Sequence, residues 1–243
     1  MPTPRIYLPQ PLTSGSTVQL DPRAQRHAVK VLRLQVGDSL ILFNGEGGEY
    51  CATLEDTRRE GAQVSIREFI DQKRESPLDI ALLQGIARGE KMDLILQKAV
   101  ELGVSRVVPL ATERSQVKLS GERLNKRMQH WRGVIIHACE QCGRNRLPEL
   151  ADMQNLSAAL AAHTPDRLGL LLDPTAERGP HDLAATRALS LLIGPEGGLS
   201  ASERGQARNA GFQGVRLGPR ILRTETAGLA ALAALQCLYG DLT

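Results

Sequence analysis

Two short apolar runs constrain the fold of this chain more than any other feature, LGLLL at residues 168–172 and LSLLI at 189–193. Each has the length of a strand and no apolar–polar alternation, which is typical of strands buried on both faces of a parallel sheet. Further strands are predicted at 78–84 and 104–110, and the apolar spacing between them, at 92–102, is helical. The alternation of strand and helix predicts an α/β fold.

The residues before this region have a different pattern. Asp21-Pro22 predicts the start of a helix that carries His27, buries Ala28, Val31 and Leu32, and ends at Gly37-Asp38. The remaining segments predict short strands that close a small barrel, at residues 17–20, 39–43, 49–55 and 63–70. A charged stretch, DQKRES, then precedes Pro77. We therefore predict two domains, residues 1–72 and 73–243.

Two loops that combine glycine with proline follow predicted strands. The first is Gly194-Pro195-Glu196-Gly197-Gly198, and the second is Gly218-Pro219-Arg220, after a strand predicted at 215–217. In open α/β sheets, ligands bind at the carboxyl ends of strands. Neither loop has the spacing of a Walker or a dinucleotide-binding motif. A plain strand-to-helix connection is the alternative for either loop alone, but two such loops in one domain favour a shared pocket.

Helix signals and charges surround these loops. Ser200 and Glu203 have capping-box spacing, which predicts a helix directly after the first loop. After the second loop, Thr224 or Thr226 can cap the terminal helix predicted at 226–239. Glu225 suits a helix N-terminus, but Arg220 and Arg223 do not, so they indicate a nearby anion.

The motifs IGPEGGLSASE (193–203) and LGPRILRTETA (217–227) resemble those of the ribosomal RNA small subunit methyltransferase E family, within the SPOUT superfamily. RGEKMDLILQKAVELGV (88–104), ERSQVK (113–118), EQCGRNRLPE (140–149) and HAVKVLRLQVGD (27–38) are also similar to the family. The resemblance covers essentially the whole chain. One departure is Cys142, where the family pattern suggests serine.

The resemblance implies an N-terminal PUA-like β-barrel that binds RNA and a C-terminal SPOUT fold with a trefoil knot. It also implies a homodimer that uses S-adenosylmethionine to form 3-methyluridine in 16S ribosomal RNA of the small subunit. The cytoplasm is expected for a separate reason, since four cysteines are too few for a disulfide framework in a chain of this length. Because glycines let a backbone approach adenosine closely and leucines form apolar walls, we expect the cofactor to contact a set of loop residues. These are Leu172, Ile193, Gly194, Gly197, Leu217, Gly218 and Leu222.

Methyl transfer to uracil N3 requires alignment and stabilisation of the uracil anion. Arg223 is the first candidate for that stabilisation, Arg220 is the second, and Glu225 orients an arginine. The role of Glu196 stays open. RNA contacts are expected from basic residues, namely Arg88, Lys91, Arg114, Arg144 and Arg146, with Arg5, His27 and Arg33 from the first domain.

Composition limits the alternatives. The chain has 243 residues, a formal charge of +3 and only 3% aromatic residues, which disfavours RNA binding mainly by stacking on rings. It shows no apolar run long enough to span a membrane and no signal-peptide core, so neither membrane nor secretion is expected. Cys139-x-x-Cys142 alone is compatible with zinc or redox chemistry, but no second such pair occurs, so no metal is expected.

Two functional alternatives stay open at this point. One is a SPOUT enzyme that acts on another RNA, such as tRNA. The other is an RNA-binding protein without catalytic activity, which would need no cofactor pocket.

Overall fold

The computed structural model describes residues 3–57 and 61–242, and the chain divides into two compact units. The first unit comprises Met1–Glu75 and Cys139–Leu147, and the second comprises Ser76–Ala138 and Pro148–Thr243. The first unit therefore includes a short stretch of chain that lies far along the sequence from the rest of it.

The first unit contains a five-stranded mixed sheet. Its strands are β1 (Arg5–Tyr7), β2 (Thr17–Gln19), β3 (Ser39–Phe43), β4 (Glu49–Asp56) and β5 (Gln63–Ile70), in the order β1-β3-β4-β5-β2. β1 and β3 are parallel, and the other pairs are antiparallel. Strands β2 to β5 occur where the sequence predicts them, whereas β1 was not predicted, and the closed PUA-like barrel stays a prediction.

The helix predicted after Asp21 is shorter than expected. Asp21 caps α1 (Pro22–Gln25) by accepting a hydrogen bond from the backbone N–H of Ala24 at 2.7 Å, and a π-helix then ends at Val31 rather than at Gly37-Asp38. Since a π-helix is wider than an α-helix, its side chains are rotated relative to the predicted face. Ala28 is buried as expected, but Val31 is 64% exposed and Leu32 is 38% exposed, so the prediction for these two residues is wrong.

The second unit contains a parallel sheet whose centre consists of the apolar runs. The strand order is β12-β10-β11-β6-β7-β8, with β9 paired to β7. The strands are β6 (Asp79–Gly85), β7 (Arg106–Ala111), β8 (Glu149–Leu150), β9 (Gln154–Asn155), β10 (Leu168–Leu172), β11 (Ala188–Ile193) and β12 (Gln213–Val215). The predicted α/β fold with a mostly parallel sheet is confirmed.

The last strand lies two residues before its predicted position at 215–217. Val215 still pairs with β10, but the backbone N–H of Arg216 donates to the carbonyl of Arg178 at 2.8 Å, so the chain leaves the sheet there. Leu217 and Gly218 consequently belong to the following loop rather than to the strand.

The main helices are α2 (Glu90–Glu101), α3 (Gly121–Cys142), α4 (Leu156–Ala161), α5 (Ala201–Asn209) and α6 (Thr224–Tyr239). The capping box before α5 is confirmed, because Ser200 and Glu203 exchange hydrogen bonds at 3.1 and 2.8 Å. α6 packs against α2 and is apolar on most of its surface. Within the described part of the chain, no helix combines the length and the apolar character needed to cross a bilayer.

Candidate functional site

A cavity of about 500 Å³ lies in the second unit, where β10, β11 and β12 end. Both glycine-containing loops contribute to its lining, together with the residues that directly follow β10. The structure therefore brings together two segments that the sequence separates by some twenty residues, and it places them at the carboxyl edge of the sheet, where α/β folds bind ligands.

Six of the seven residues predicted for the cofactor line this cavity. Four of them are apolar, Leu172, Ile193, Leu217 and Leu222, and two are glycines, Gly194 and Gly197. Gly218 is not among the lining residues. Its φ of +68° instead lets the loop turn in a conformation that favours glycine. Gly218 therefore determines the shape of the second loop and does not line the cavity.

The first loop packs against the end of β6 at very short range. A Cβ atom on Gly85 would lie 2.5 Å from the nitrogen of Pro195 and 2.9 Å from the carbonyl carbon of Gly194. A Cβ on Gly194 would in turn lie 2.8 Å from the backbone of Gly198 and Leu199. Glycine is needed at both positions for close backbone approach. Gly85 was not predicted from the sequence, where the signal for it is a glycine at the end of the buried strand β6.

A buried hydrogen-bond network supports the same loop from α6. The hydroxyl of Thr224 donates to the carbonyl of Gly194 at 2.6 Å and accepts from Nε2 of Gln84 at 3.1 Å. The N-cap residue of α6 is Arg223, and Thr224 is already the first helical residue. The prediction that Thr224 or Thr226 caps this helix is therefore wrong, and Thr224 instead joins the helix to the cavity wall.

We expect Thr224→Val to destabilise the second unit and weaken ligand binding in the cavity. Valine has a similar shape, but it leaves the Gly194 carbonyl without its hydroxyl donor at a buried position, which costs about 1–3 kcal/mol. Chemical denaturation measures this loss. Thr226→Val is the matched control, since Thr226 is exposed and should change stability by less than about 0.5 kcal/mol. Equal effects for both variants would contradict the proposed network.

Glu196 joins the first loop to α2. Its Oε1 accepts a hydrogen bond from the backbone N–H of Arg88 at 2.9 Å and lies 3.5 Å from Nζ of Lys91. Nζ of Lys91 is also 3.8 Å from Oε1 of Glu225, in the first turn of α6. Burial would raise the pKa of Glu196, but the Arg88 hydrogen bond and the Lys91 charge outweigh it and lower the pKa. Glu196 is therefore ionised at neutral pH.

The other carboxylate in the lining is Asp173, directly after β10, with a side chain only 1% exposed. It accepts from the backbone and hydroxyl of Thr175 at 2.9 and 2.6 Å, and Arg208 and Arg204 lie 2.8 and 4.0 Å from Oδ2. Burial would raise the pKa of Asp173, but these hydrogen bonds and charges lower it. Asp173 is therefore an ionised but compensated group, and the sequence analysis did not identify it.

The predicted catalytic arginines lie at the cavity. Arg220 and Arg223 both line it, both are exposed, and neither forms an ion pair with any described residue. Glu225 is not part of the lining and pairs with Lys91 rather than with an arginine. Within residues 3–57 and 61–242, no contact with an arginine supports its predicted role of orienting one.

Three residues predicted to contact RNA lie in the second unit near these loops. Lys91 and Arg114 line the cavity, and Arg114 also donates to the carbonyl of Gly197 at 3.1 Å. The side chain of Arg88 donates to Gln116 at 3.0 Å at the protein surface. Lys91 therefore has carboxylate partners, whereas Arg88 and Arg114 keep charges that no described carboxylate compensates.

Two other arginines predicted to contact RNA are engaged within the first unit. Arg5 forms an ion pair with Glu49, and Arg144, which is buried, pairs with Glu75 at 2.6 Å. Arg5 also lies 5.1 Å above the ring of Phe43. These two cations stabilise the packing of residues 139–147 in this unit, and their contacts with RNA stay a prediction.

The remaining predicted RNA contacts also lie in the first unit. Nδ1 of His27 is 3.6 Å from a carboxylate oxygen of Glu140, while Arg33 and Arg146 are exposed. Arg33 has a φ of +58°, which makes it the only residue other than glycine with positive φ among the described residues. A strained arginine on the surface is a reasonable candidate for binding.

Within the cysteine pair, Cys139 has the properties of a structural thiol. Cys139 is fully buried, its Sγ donates to the carbonyl of Arg146 at 3.9 Å, and burial raises the pKa of the thiol to about 12. Metal binding and nucleophilic chemistry require a thiolate. The interpretation of Cys139 as a buried helix residue is therefore favoured over the zinc and redox alternatives.

Comparison with known protein families identifies the family to which a chain with these two loops belongs. Residues 74–236 match the RNA methyltransferase domain family, and residues 20–67 match the RNA methyltransferase PUA domain family. A ribosomal RNA small subunit methyltransferase E from Buchnera aphidicola is 34% identical over 99% of this chain and 98% of its own length. The chain belongs to the ribosomal RNA small subunit methyltransferase E family.

Solved structures of similar proteins agree with this family assignment. A methyltransferase from Legionella pneumophila, solved with S-adenosylmethionine, is 42% identical with a TM-score of 0.96 and full coverage of both chains. A ribosomal RNA small subunit methyltransferase E from Neisseria gonorrhoeae, also bound to S-adenosylmethionine, is 40% identical with a TM-score of 0.93 over 99% of this chain and 100% of its own. The family resemblance predicted from the two loops is confirmed.

Proposed function

We propose that this protein transfers a methyl group from S-adenosylmethionine to N3 of a uridine in 16S ribosomal RNA of the small subunit. The observation that carries the proposal is that both glycine-containing loops line one cavity. Arg220 and Arg223 lie at its wall, and no described carboxylate pairs with either of them. The two solved relatives that contain S-adenosylmethionine support the choice of cofactor. The names of the curated relatives support small-subunit ribosomal RNA as substrate.

The residues of the cavity fit S-adenosylmethionine. A volume of about 500 Å³ lies within the range of small-molecule sites. Apolar side chains such as Leu172 and Leu222 suit the adenine ring, and the exposed backbone of Gly194 and Gly197 can pair with its polar edge. When bound, this cofactor supplies an activated methyl group, so the protein has to supply alignment and electrostatic stabilisation.

Arg223 has the position needed for that stabilisation. Uracil N3 loses its proton as it accepts the methyl group, and the negative charge that develops on the ring is stabilised by a fixed cation. Arg223 directly precedes α6, and Thr224 ties the start of that helix to the loop that lines the cavity. We therefore propose Arg223 as the catalytic arginine and Arg220 as a second cation for the substrate.

The uncompensated cations suit the phosphates of the substrate. Arg114 lines the cavity and Arg88 contacts Glu196 at its edge, and neither arginine has a described carboxylate partner for its side chain. In the first unit, Lys30 and Arg33 are exposed. Contacts of this kind provide affinity and position the RNA without reading its sequence. RNA binding by the first unit is part of the proposal, and the match to the PUA family supports it.

The finer features of architecture belong to the same proposal. We infer a trefoil knot in the second unit, a closed PUA-like barrel in the first, and a homodimer in the cytoplasm. Family membership supports these features.

Calorimetric titration with S-adenosylmethionine tests the enzyme against its main alternative. We expect saturable binding with one site per chain. An RNA-binding protein without catalytic activity needs no such cavity, so the absence of binding at millimolar cofactor would favour that alternative. Transfer of a labelled methyl group to tRNA but not to small subunits would favour the other alternative, a related enzyme with a different RNA substrate.

A further inference from the structure

The charges around the cavity are unevenly compensated. Six cations line it, namely Lys91, Arg114, Arg204, Arg216, Arg220 and Arg223, against two carboxylates, Asp173 and Glu196. Such a lining suits RNA phosphates. It is unfavourable for a ligand with a positively charged reactive centre, because like charges in a partly desolvated site repel. Binding of a cationic ligand therefore needs a local source of negative charge.

Only one of the two lining carboxylates can provide that charge. Asp173 is already paired with Arg208 at 2.8 Å and accepts two hydrogen bonds from Thr175. Glu196 instead shares the single ammonium of Lys91 with Glu225, at 3.5 and 3.8 Å. Two carboxylates and one ammonium leave this cluster, Lys91–Glu196–Glu225, with an excess negative charge.

The hydrogen bonding of the cluster is consistent with this imbalance. Oε2 of Glu196 and Oε2 of Glu225 are both buried, and neither has a hydrogen-bond partner among the described residues. Buried carboxylate oxygens without donors are costly unless a positive charge lies nearby. The side chains themselves are only 20% and 14% exposed, so solvent screens the cluster weakly.

We propose that Glu196 and Glu225 make the cavity selective for the positively charged methyl donor over its neutral product, S-adenosylhomocysteine. This inference rests on the proposed function, since it assumes that the cavity holds this cofactor. Methyl transfer forms a bond between the methyl carbon and uracil N3, whose proton is released to solvent, and breaks the bond between that carbon and sulfur. The electron pair of the broken bond stays on sulfur, which becomes neutral. The excess negative charge of the cluster then no longer attracts the sulfur atom. S-adenosylhomocysteine therefore binds less tightly and leaves the site.

The test is the ratio of two dissociation constants, Kd of S-adenosylhomocysteine divided by Kd of S-adenosylmethionine, measured by calorimetry on the full chain. Glu225→Gln and Glu196→Gln remove one negative charge each, and we expect the ratio to fall about threefold to tenfold. Lys91→Met removes the positive charge, and we expect the ratio to rise by a similar factor. If these residues had only a structural role, their substitution would weaken the binding of both ligands by the same factor and leave the ratio unchanged.

Lys98 and Glu101 provide matched controls on the same helix. They form an ion pair at 2.8 Å and do not line the cavity, so Lys98→Met and Glu101→Gln should leave the ratio at the wild-type value. Shifts of the same sign for Lys91→Met and Glu225→Gln would overturn the inference, as would an unchanged ratio. If Glu196→Gln bound neither ligand, the ratios of Glu225→Gln and Lys91→Met would test the inference. Failure of the wild-type protein to bind either ligand would instead contradict the proposed function.

Discussion

Arg223→Ala is expected to lower kcat for methyl transfer by about 10²–10³-fold while S-adenosylmethionine still binds. Arg223 lines the cavity, is exposed, and has no ion-pair partner among the described residues, so its charge is available to a substrate. Removal of a group that acts mainly in the transition state lowers kcat and kcat/KM together. Single-turnover transfer to undermethylated small subunits measures the rate, and calorimetry measures cofactor affinity.

Two further variants separate the charge of Arg223 from other effects. Arg223→Lys keeps a cation but loses the planar guanidinium, and we expect it to recover part of the rate. Arg178→Ala removes an arginine of the second unit that is not part of the lining, and its rate should match the wild type. Turnover by Arg223→Ala close to that of the wild type would rule out the role proposed for this arginine.

Gly85→Ala should displace the first glycine-containing loop. The new Cβ would meet the backbone of Pro195 at 2.5 Å, and neither the strand nor the proline ring can move easily. Overpacking of this kind costs about 1–3 kcal/mol of stability. Displacement of the cavity wall by about 1 Å should lower kcat/KM by about 10²-fold. Denaturation and steady-state kinetics measure the two effects.

Gly205→Ala is the matched control for this steric argument. Gly205 lies within α5, has ordinary φ, and a Cβ there would meet no atom within 4 Å. Alanine should therefore stabilise the helix by about 0.5–1 kcal/mol and leave the kinetics unchanged. If Gly85→Ala behaved like Gly205→Ala, the contact between β6 and the loop would not shape the site.

Much of the second unit could be predicted because its signals are local. The run at Leu168–Leu172 forms a strand as predicted, and Ser200 caps α5 through the predicted capping box. Two glycine-containing loops after strands predicted one pocket, and the cavity includes both. These predictions needed only hydrophobic periodicity, capping chemistry and the rule for the carboxyl ends of parallel strands.

The features that the sequence did not reveal have two causes, contacts between residues that are distant in sequence and one local departure from α-helical geometry. Thr224 was interpreted as a helix cap, but its hydroxyl binds the carbonyl of Gly194. Arg144 is predicted to contact RNA because it is basic, and its buried pairing with Glu75 could not be inferred from the local sequence. Val31 was placed in the core because the α-helical period was assumed, and the π-helix changes that period. A basic residue, a hydroxyl or an apolar residue does not reveal its partner from local sequence alone.

The most direct test of the account is to identify the methylated nucleoside. The protein is incubated with labelled S-adenosylmethionine and small ribosomal subunits that lack the modification, and the 16S RNA is then digested to nucleosides and separated. The account predicts label in 3-methyluridine, about one per subunit, and its loss with Arg223→Ala. Label in another nucleoside, or label only in tRNA offered in the same reaction, would contradict it.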